Sequence, residues 1–183
     1  MTDVLRKLRL EELGRIDVAG YKSQQKIPIV VILDNIRSGL NVGSVFRTCD
    51  AFAIERIILC GISACPPHKE ILKTAIGATN SVDWIYQNDV ETAVKNIKSE
   101  GYQVIGIEQT TSSVSLEEVE VDTGNKYAIC LGNEVDGISN EILPYLDLAV
   151  EIPQYGTKHS LNVAVCSGIT LWHFTKPFHC ESS

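Results

Sequence analysis

Short runs rich in Ile and Val recur along the chain, each separated from the next by a stretch with helical spacing. This alternation limits the fold more than any other feature. The runs fall at residues 29–33, 57–59, 104–107, 127–131 and 148–152, with a weaker one at 82–86. They are apolar at consecutive positions rather than alternate ones, as strands buried on both faces require. Between them, residues 41–53 place Val42, Val45, Phe46 and Cys49 on one side of a helix. Residues 89–99 form a second pattern, with Asn88 as a candidate N-cap, Glu91 three residues on and Gly101 just past the end. Ser139 can cap a short helix that stops near Pro144. Strands alternating with helices predict an α/β domain: a mostly parallel sheet flanked by helices.

The last helical pattern, residues 160–175, is apolar almost all round, with Leu161, Val163, Ala164, Val165, Ile169, Leu171, Trp172 and Phe174. A helix without a polar face is buried on several sides. A domain of this size does not enclose its own final helix completely, so a second copy is expected to cover it as a homodimer. At the other end, residues 1–15 alternate charge with leucine and lack the apolar centre of a secretion signal. The reading is an amphipathic helix in a cytoplasmic protein. Residues 1–26 are then a helical extension, and 27–183 a single domain. No apolar run is long enough to predict a membrane span.

The six cysteines are scattered through mostly apolar surroundings with no CxxC spacing. They are read as reduced, mostly buried thiols, and no metal site is expected. The net charge of −7 argues against a broad, non-specific nucleic-acid surface. The charge is uneven, however: residues 1–60 hold 9 Lys/Arg against 7 Asp/Glu, and the remainder 7 against 16. Locally convergent cations still suffice for phosphate contacts.

Three segments gather polar residues where strands run into helices. Residues 34–50, DNIRSGLNVGSVFRTCD, put Asn41, Gly43 and Ser44 at a helix start that favours an anion. Arg47 lies further along the same helix and suits bidentate contact with a phosphate. An ordinary capped helix with a solvated arginine has the same sequence. Residues 130–140, CLGNEVDGISN, end a strand at Gly132, with Gly137 five positions on and Glu134 between them. This is a sharp turn or a close approach to a ligand, and it is neither GxGxxG nor GxxxxGK[ST]. Residues 152–162, IPQYGTKHSLN, lead directly into the apolar helix, with Ser160 as a possible N-cap. Polar groups there need partners, whether structural or from a ligand.

Taken in order, LNVGSVFRTCDAF, LGNEVDGIS and IPQYGTKHSLNVAVCSG, with KTAIGA between the first two, closely resemble the SpoU/TrmH family of RNA 2′-O-ribose methyltransferases in the SPOUT superfamily. The likeness covers roughly residues 28–176. It implies a deep C-terminal trefoil knot, an exception to the rule that chains avoid threading. It also implies S-adenosylmethionine as cofactor, a homodimer, and RNA rather than DNA as substrate, with tRNA favoured over rRNA. By the same resemblance Arg47 takes the catalytic arginine position, with Asn41 as its companion. Glu134, Ser160 and Asn162 match polar residues of the second and third motifs. Cofactor contacts are implied around Gly132, Ile152 and Leu161, with a further contribution from the loop after Ile107. Lys158-His159 departs from the family pattern. A base-modifying member of the superfamily and a silent RNA- or cofactor-binding module are the alternatives, whereas a dinucleotide-dependent oxidoreductase lacks its glycine fingerprint.

Overall fold

The structure, a computed structural model, describes residues 5–180. Its strands are β1 (Ile27–Asp34), β2 (Ile54–Cys60), β3 (Asp83–Gln87), β4 (Tyr102–Ile107), β5 (Val114–Ser115), β6 (Lys126–Leu131) and β7 (Leu148–Glu151). They form one sheet in the order β3-β2-β1-β6-β4-β7-β5, and every neighbouring pair is parallel. The predicted α/β class with a mostly parallel sheet is what the chain forms. The two late strands insert between earlier ones: β6 between β1 and β4, and β7 between β4 and β5.

The continuous apolar runs arise because both faces are covered. Along β1, Ile29, Val31 and Leu33 enter one core, while Val30 and Ile32 enter the other. Among the described residues six helices supply the cover: α1 (Val18–Ser23), α2 (Gly39–Ala51), α3 (Lys69–Ala75), α4 (Ala78–Ser81), α5 (Val90–Ser99) and α6 (Val163–Cys180). Val42, Val45 and Phe46 of α2 share the first core with Leu171 and Phe174 of α6. There Phe174 meets Tyr127 of β6 edge-on, with ring centroids 5.4 Å apart. Val90, Ala93, Val94 and Ile97 of α5 fill the second core with Ile138 and Ile142. None of the described helices is long and apolar enough to cross a membrane.

Several element boundaries differ from the sequence reading, each for a local reason. Helix α2 starts at Gly39 because the Ser38 hydroxyl accepts the Asn41 N–H at 3.3 Å. Helix α5 is capped by Asp89 rather than Asn88: the Asp89 carboxylate accepts the Thr92 N–H at 2.7 Å. Glu91 is then free to pair with Lys95 and to accept from the Tyr145 hydroxyl. Residues 140–145 form a 3-10 helix that contains Pro144, and Ser139 makes no side-chain cap. The final helix begins at Val163, not at Ser160, because Asn162 is the residue that accepts its first free N–H groups. The strand β5, at two residues, is too short to show a strand pattern in the sequence. Helices α3 and α4 went unread because each is too short to show a period. The amphipathic helix expected over residues 1–15 is not found among residues 5–15, where only a 3-10 turn at Leu10–Leu13 forms; residues 1–4 of that expectation lie outside the described residues.

Candidate active site at the strand ends

A parallel sheet collects the loops after its strands at one edge, and that edge is where such sheets bind ligands. Here the loops after β4, β6 and β7 enclose a cavity of about 860 Å³. Gly132, Ile152 and Leu161, the positions expected to contact cofactor, all line it. Glu134 and Ser160 line it too.

The 132–139 loop is closed tightly upon itself. The Asn133 side-chain oxygen accepts the N–H groups of Val135 at 2.9 Å and Asp136 at 2.8 Å, and Gly137 N–H returns to the Asn133 carbonyl at 3.1 Å. A Cβ on Gly132 would lie 2.0 Å from the Gly137 carbonyl carbon, so no other residue fits there. Gly137 has φ +68°, a left-handed conformation that side chains resist. The two glycines thus serve close backbone approach and a turn at once, and the loop tip carries Glu134 out into solvent.

Hydrogen bonds link the three motifs. The Asn162 amide donates to the Asn41 side-chain oxygen at 3.1 Å. The Asn41 amide in turn donates to the Glu134 carboxylate. Asn162 also caps α6, with its oxygen 2.9 Å from the Ala164 nitrogen. The starts of α2 and α6 and the tip of the 132–139 loop are therefore fixed to one another through two amides. Ser160 is exposed at the cavity and has no such bond.

Arg47 is not part of this cavity. It is six residues beyond Asn41 on α2, which places it about 120° around the helix and roughly 9 Å further along it. The guanidinium is exposed and makes no hydrogen bond or ion pair among the described residues. It borders a cleft with Ser44, Thr48, Phe52, Lys73, Thr74 and, from α6, Gly168. On its other side is a groove holding Arg15, Asp17 and Asp50. Near this cleft α6 leaves an apolar stripe uncovered: Val165 is 52% exposed, Ile169 40% and Trp172 59%. Their i, i+4, i+7 spacing places them on one side of the helix.

The charge of the two recesses differs. Glu108, Glu134, Asp136 and Glu151 line the cavity with no Lys or Arg. Arg47 and Lys73 line the cleft with no carboxylate. A volume of this size holds a nucleoside-sized ligand, and the charge suits a cationic one rather than a polyphosphate. Cys166 also faces the cavity, but burial pushes its thiol up to about 11, so it stays protonated at neutral pH and is no nucleophile. The loop after Ile107, expected to contribute cofactor contacts, does line the cavity, but its first residue, Glu108, went unnamed; a charged residue directly after a buried run was the available signal.

Comparison with known proteins gives a family match over residues 28–172, to the SpoU rRNA Methylase family. The chain is 31% identical over 150 residues to a tRNA (guanosine(18)-2'-O)-methyltransferase of Aquifex aeolicus, covering 79% of this chain and 67% of that protein. It is also 31% identical over 153 residues to the mouse tRNA (guanosine(18)-2'-O)-methyltransferase TARBP1, covering 81% of this chain but only 9% of that far longer protein. Among solved structures, an AdoMet-bound rRNA methyltransferase of Sinorhizobium meliloti superposes with a TM-score of 0.77 at 26% identity, over 84% of this chain and 57% of that one.

Proposed function

We infer that this chain, which belongs to the SpoU rRNA Methylase family, is an S-adenosylmethionine-dependent RNA methyltransferase acting on a ribose 2′-hydroxyl. The observation that carries this reading is the pairing of an acidic, glycine-walled cavity with a separate cationic cleft. Relatives named for this reaction act on tRNA or on rRNA, and both kinds of name occur among them.

S-adenosylmethionine supplies an electrophilic methyl on a positively charged sulfur. Gly132, Ile152 and Leu161 would hold it, with the surrounding carboxylates favouring its charge. The chain's own work is to present a ribose oxygen and ease removal of its proton. Arg47 is effectively always protonated, so it does not act as a base. We assign it to the phosphate beside the target ribose, where it places the hydroxyl and stabilises negative charge on the oxygen while that phosphate accepts the hydroxyl proton. Asn41, Glu134 and Asn162 hold the loop that faces the reacting atoms, and the Ser160 hydroxyl is free to bond the nucleotide.

Arg47 lies outside its own chain's cavity, and the Val165, Ile169 and Trp172 stripe on α6 lacks cover. Both are resolved if two copies pair and each arginine serves its partner's cavity. Mixing Arg47→Ala with Glu134→Ala protein tests this, because mixed dimers would regain one intact site. No recovery of turnover on mixing would rule out the shared site. We also take the C-terminal segment to be knotted, as the family likeness implies; the insertion of β7 between β4 and β5 and the packing of α6 on α2 are in keeping with it. An optical trap pulling on both ends reads a shortened contour if so, and the full contour of 183 residues if not.

For the substrate we favour tRNA in the cytoplasm. The deciding experiment is to supply labelled S-adenosylmethionine with total RNA and analyse the product nucleosides. A 2′-O-methylated nucleoside from tRNA is expected. Label confined to a base, or no transfer to any RNA, overturns the reading.

A further inference from the structure

We propose that Glu108 is a positioning residue that ties the two loops of the cavity together and so sets the affinity for the cofactor. The inference rests on the methyltransferase reading of that cavity. Glu108 is the first residue after β4, and both of its oxygens accept backbone N–H groups: Oε2 from Ile138 at 3.0 Å and Oε1 from Gln109 at 2.9 Å. The next amide along, Ser139 N–H, donates at 2.7 Å to the buried Asp34 at the end of β1. Because β6 lies between β1 and β4, two consecutive amides at the base of the 132–139 loop are gripped by carboxylates from the strands on either side.

The grip leaves no slack. A Cβ on Gly137 would lie 2.0 Å from Glu108 Oε2, so the carboxylate is packed flat against the loop's turning residue. Its neighbour Gln109 reaches the other way, where the amide Nε2 donates to the His159 carbonyl at 3.5 Å. Residues 108 and 109 thus join the loop after β6 to the loop after β7, and both loops wall the same cavity. An anionic side chain is suited to this because it accepts two N–H groups at once. Gln in its place keeps one acceptor and turns an NH₂ donor towards the second N–H.

Amide exchange in the ligand-free protein, together with calorimetric titration by S-adenosylhomocysteine, tests this. In Glu108→Gln, exchange at Ile138 should quicken by about tenfold or more, since the loop opens locally. The dissociation constant for S-adenosylhomocysteine should rise about tenfold, with RNA affinity and the thermal midpoint unchanged. A merely structural role would lower the midpoint and weaken both ligands together, and that result overturns the proposal. So does unchanged exchange or unchanged cofactor affinity in the folded variant. Should Glu108→Gln not fold, Gln109→Ala on the exposed side carries the test: a two- to threefold weaker titration is expected from its single bond, and no change refutes the inference. Wild-type protein that ignores S-adenosylhomocysteine defeats the methyltransferase reading instead, while exchange at Ile138 still decides whether Glu108 holds the loop.

Discussion

The cavity beyond β4, β6 and β7 and the cleft between α2 and α6 are built from the same chain with opposite materials. The cavity is made of loops, pinned by glycine packing and by carboxylates that accept backbone N–H groups, and its lining is acidic. The cleft is made of helix surfaces, its cations lack partners among the described residues, and an apolar stripe lies open beside it. A net charge of −7 describes neither. The difference teaches that a recess held together by internal bonds is complete in one chain, whereas one left with unpaired cations and bare apolar surface is awaiting something else. In the proposed reaction those missing pieces are a phosphate and a second copy.

The largest expected effect separates the two recesses outright. Arg47→Ala should cut turnover by about 10³-fold, the scale of losing a group that stabilises developing charge, while calorimetric binding of S-adenosylhomocysteine stays intact. An arginine variant that keeps full turnover removes the cleft from the chemistry. Next, Trp172→Asp puts a charge in the apolar stripe. Sedimentation should then show monomer, with turnover down by up to about 10³-fold, because the partner's arginine is lost with the dimer. A variant that still dimerises shows that another face carries the contact. Lys73→Ala should act more gently, raising KM for RNA about fivefold and lowering the salt dependence of RNA binding by about one unit of slope. If cofactor affinity falls instead, the division of labour between the recesses is wrong.

The smallest effect is a control outside both. Burial works against ionised Asp147, but the Lys98 ammonium and the Val104 N–H outweigh it and hold its carboxyl below the usual aspartate range. A depressed folded value gives stability that is full above about pH 3.9 and is lost as the pH falls below it. Asp147→Asn should therefore be slightly less stable at neutral pH and show a flatter acid limb in thermal melts. The side chain is 43% exposed, so the change is small. An acid limb as steep as that of the parent would assign the stabilisation to another carboxylate.

The centre of the sheet was readable because burial on both faces leaves little that is polar inside β1 and β6: residues 29–33 and 127–131 are seen at once, and the structure only lengthens them. Helix starts were read less well, since Ser38, Asp89 and Asn162 compete with neighbours of equal capping ability and three-dimensional contacts choose among them. Asn41, Glu134 and Asn162 were legible as a group only through motif order; no spacing within the sequence says that their side chains touch. Glu108 was hidden because its role depends on which strand lies beside β4. That strand is β6, which follows later in the chain. Arg47 was easy to name but not to place, because six residues of helix turn it away from the cavity that its neighbour Asn41 reaches.

The insertion of β6 and β7 between earlier strands also governs the chain during synthesis. Until about residue 131 has emerged from the ribosome, β1 keeps one side bare and β4 has no neighbour at all. Exposed strand edges of this kind recruit other chains. A fragment ending near residue 125 should accordingly turn cloudy where the 183-residue chain stays clear. The sheet's centre is supplied by β6, which is made after β1 to β5, so the strands on either side must wait for it before the middle of the molecule exists.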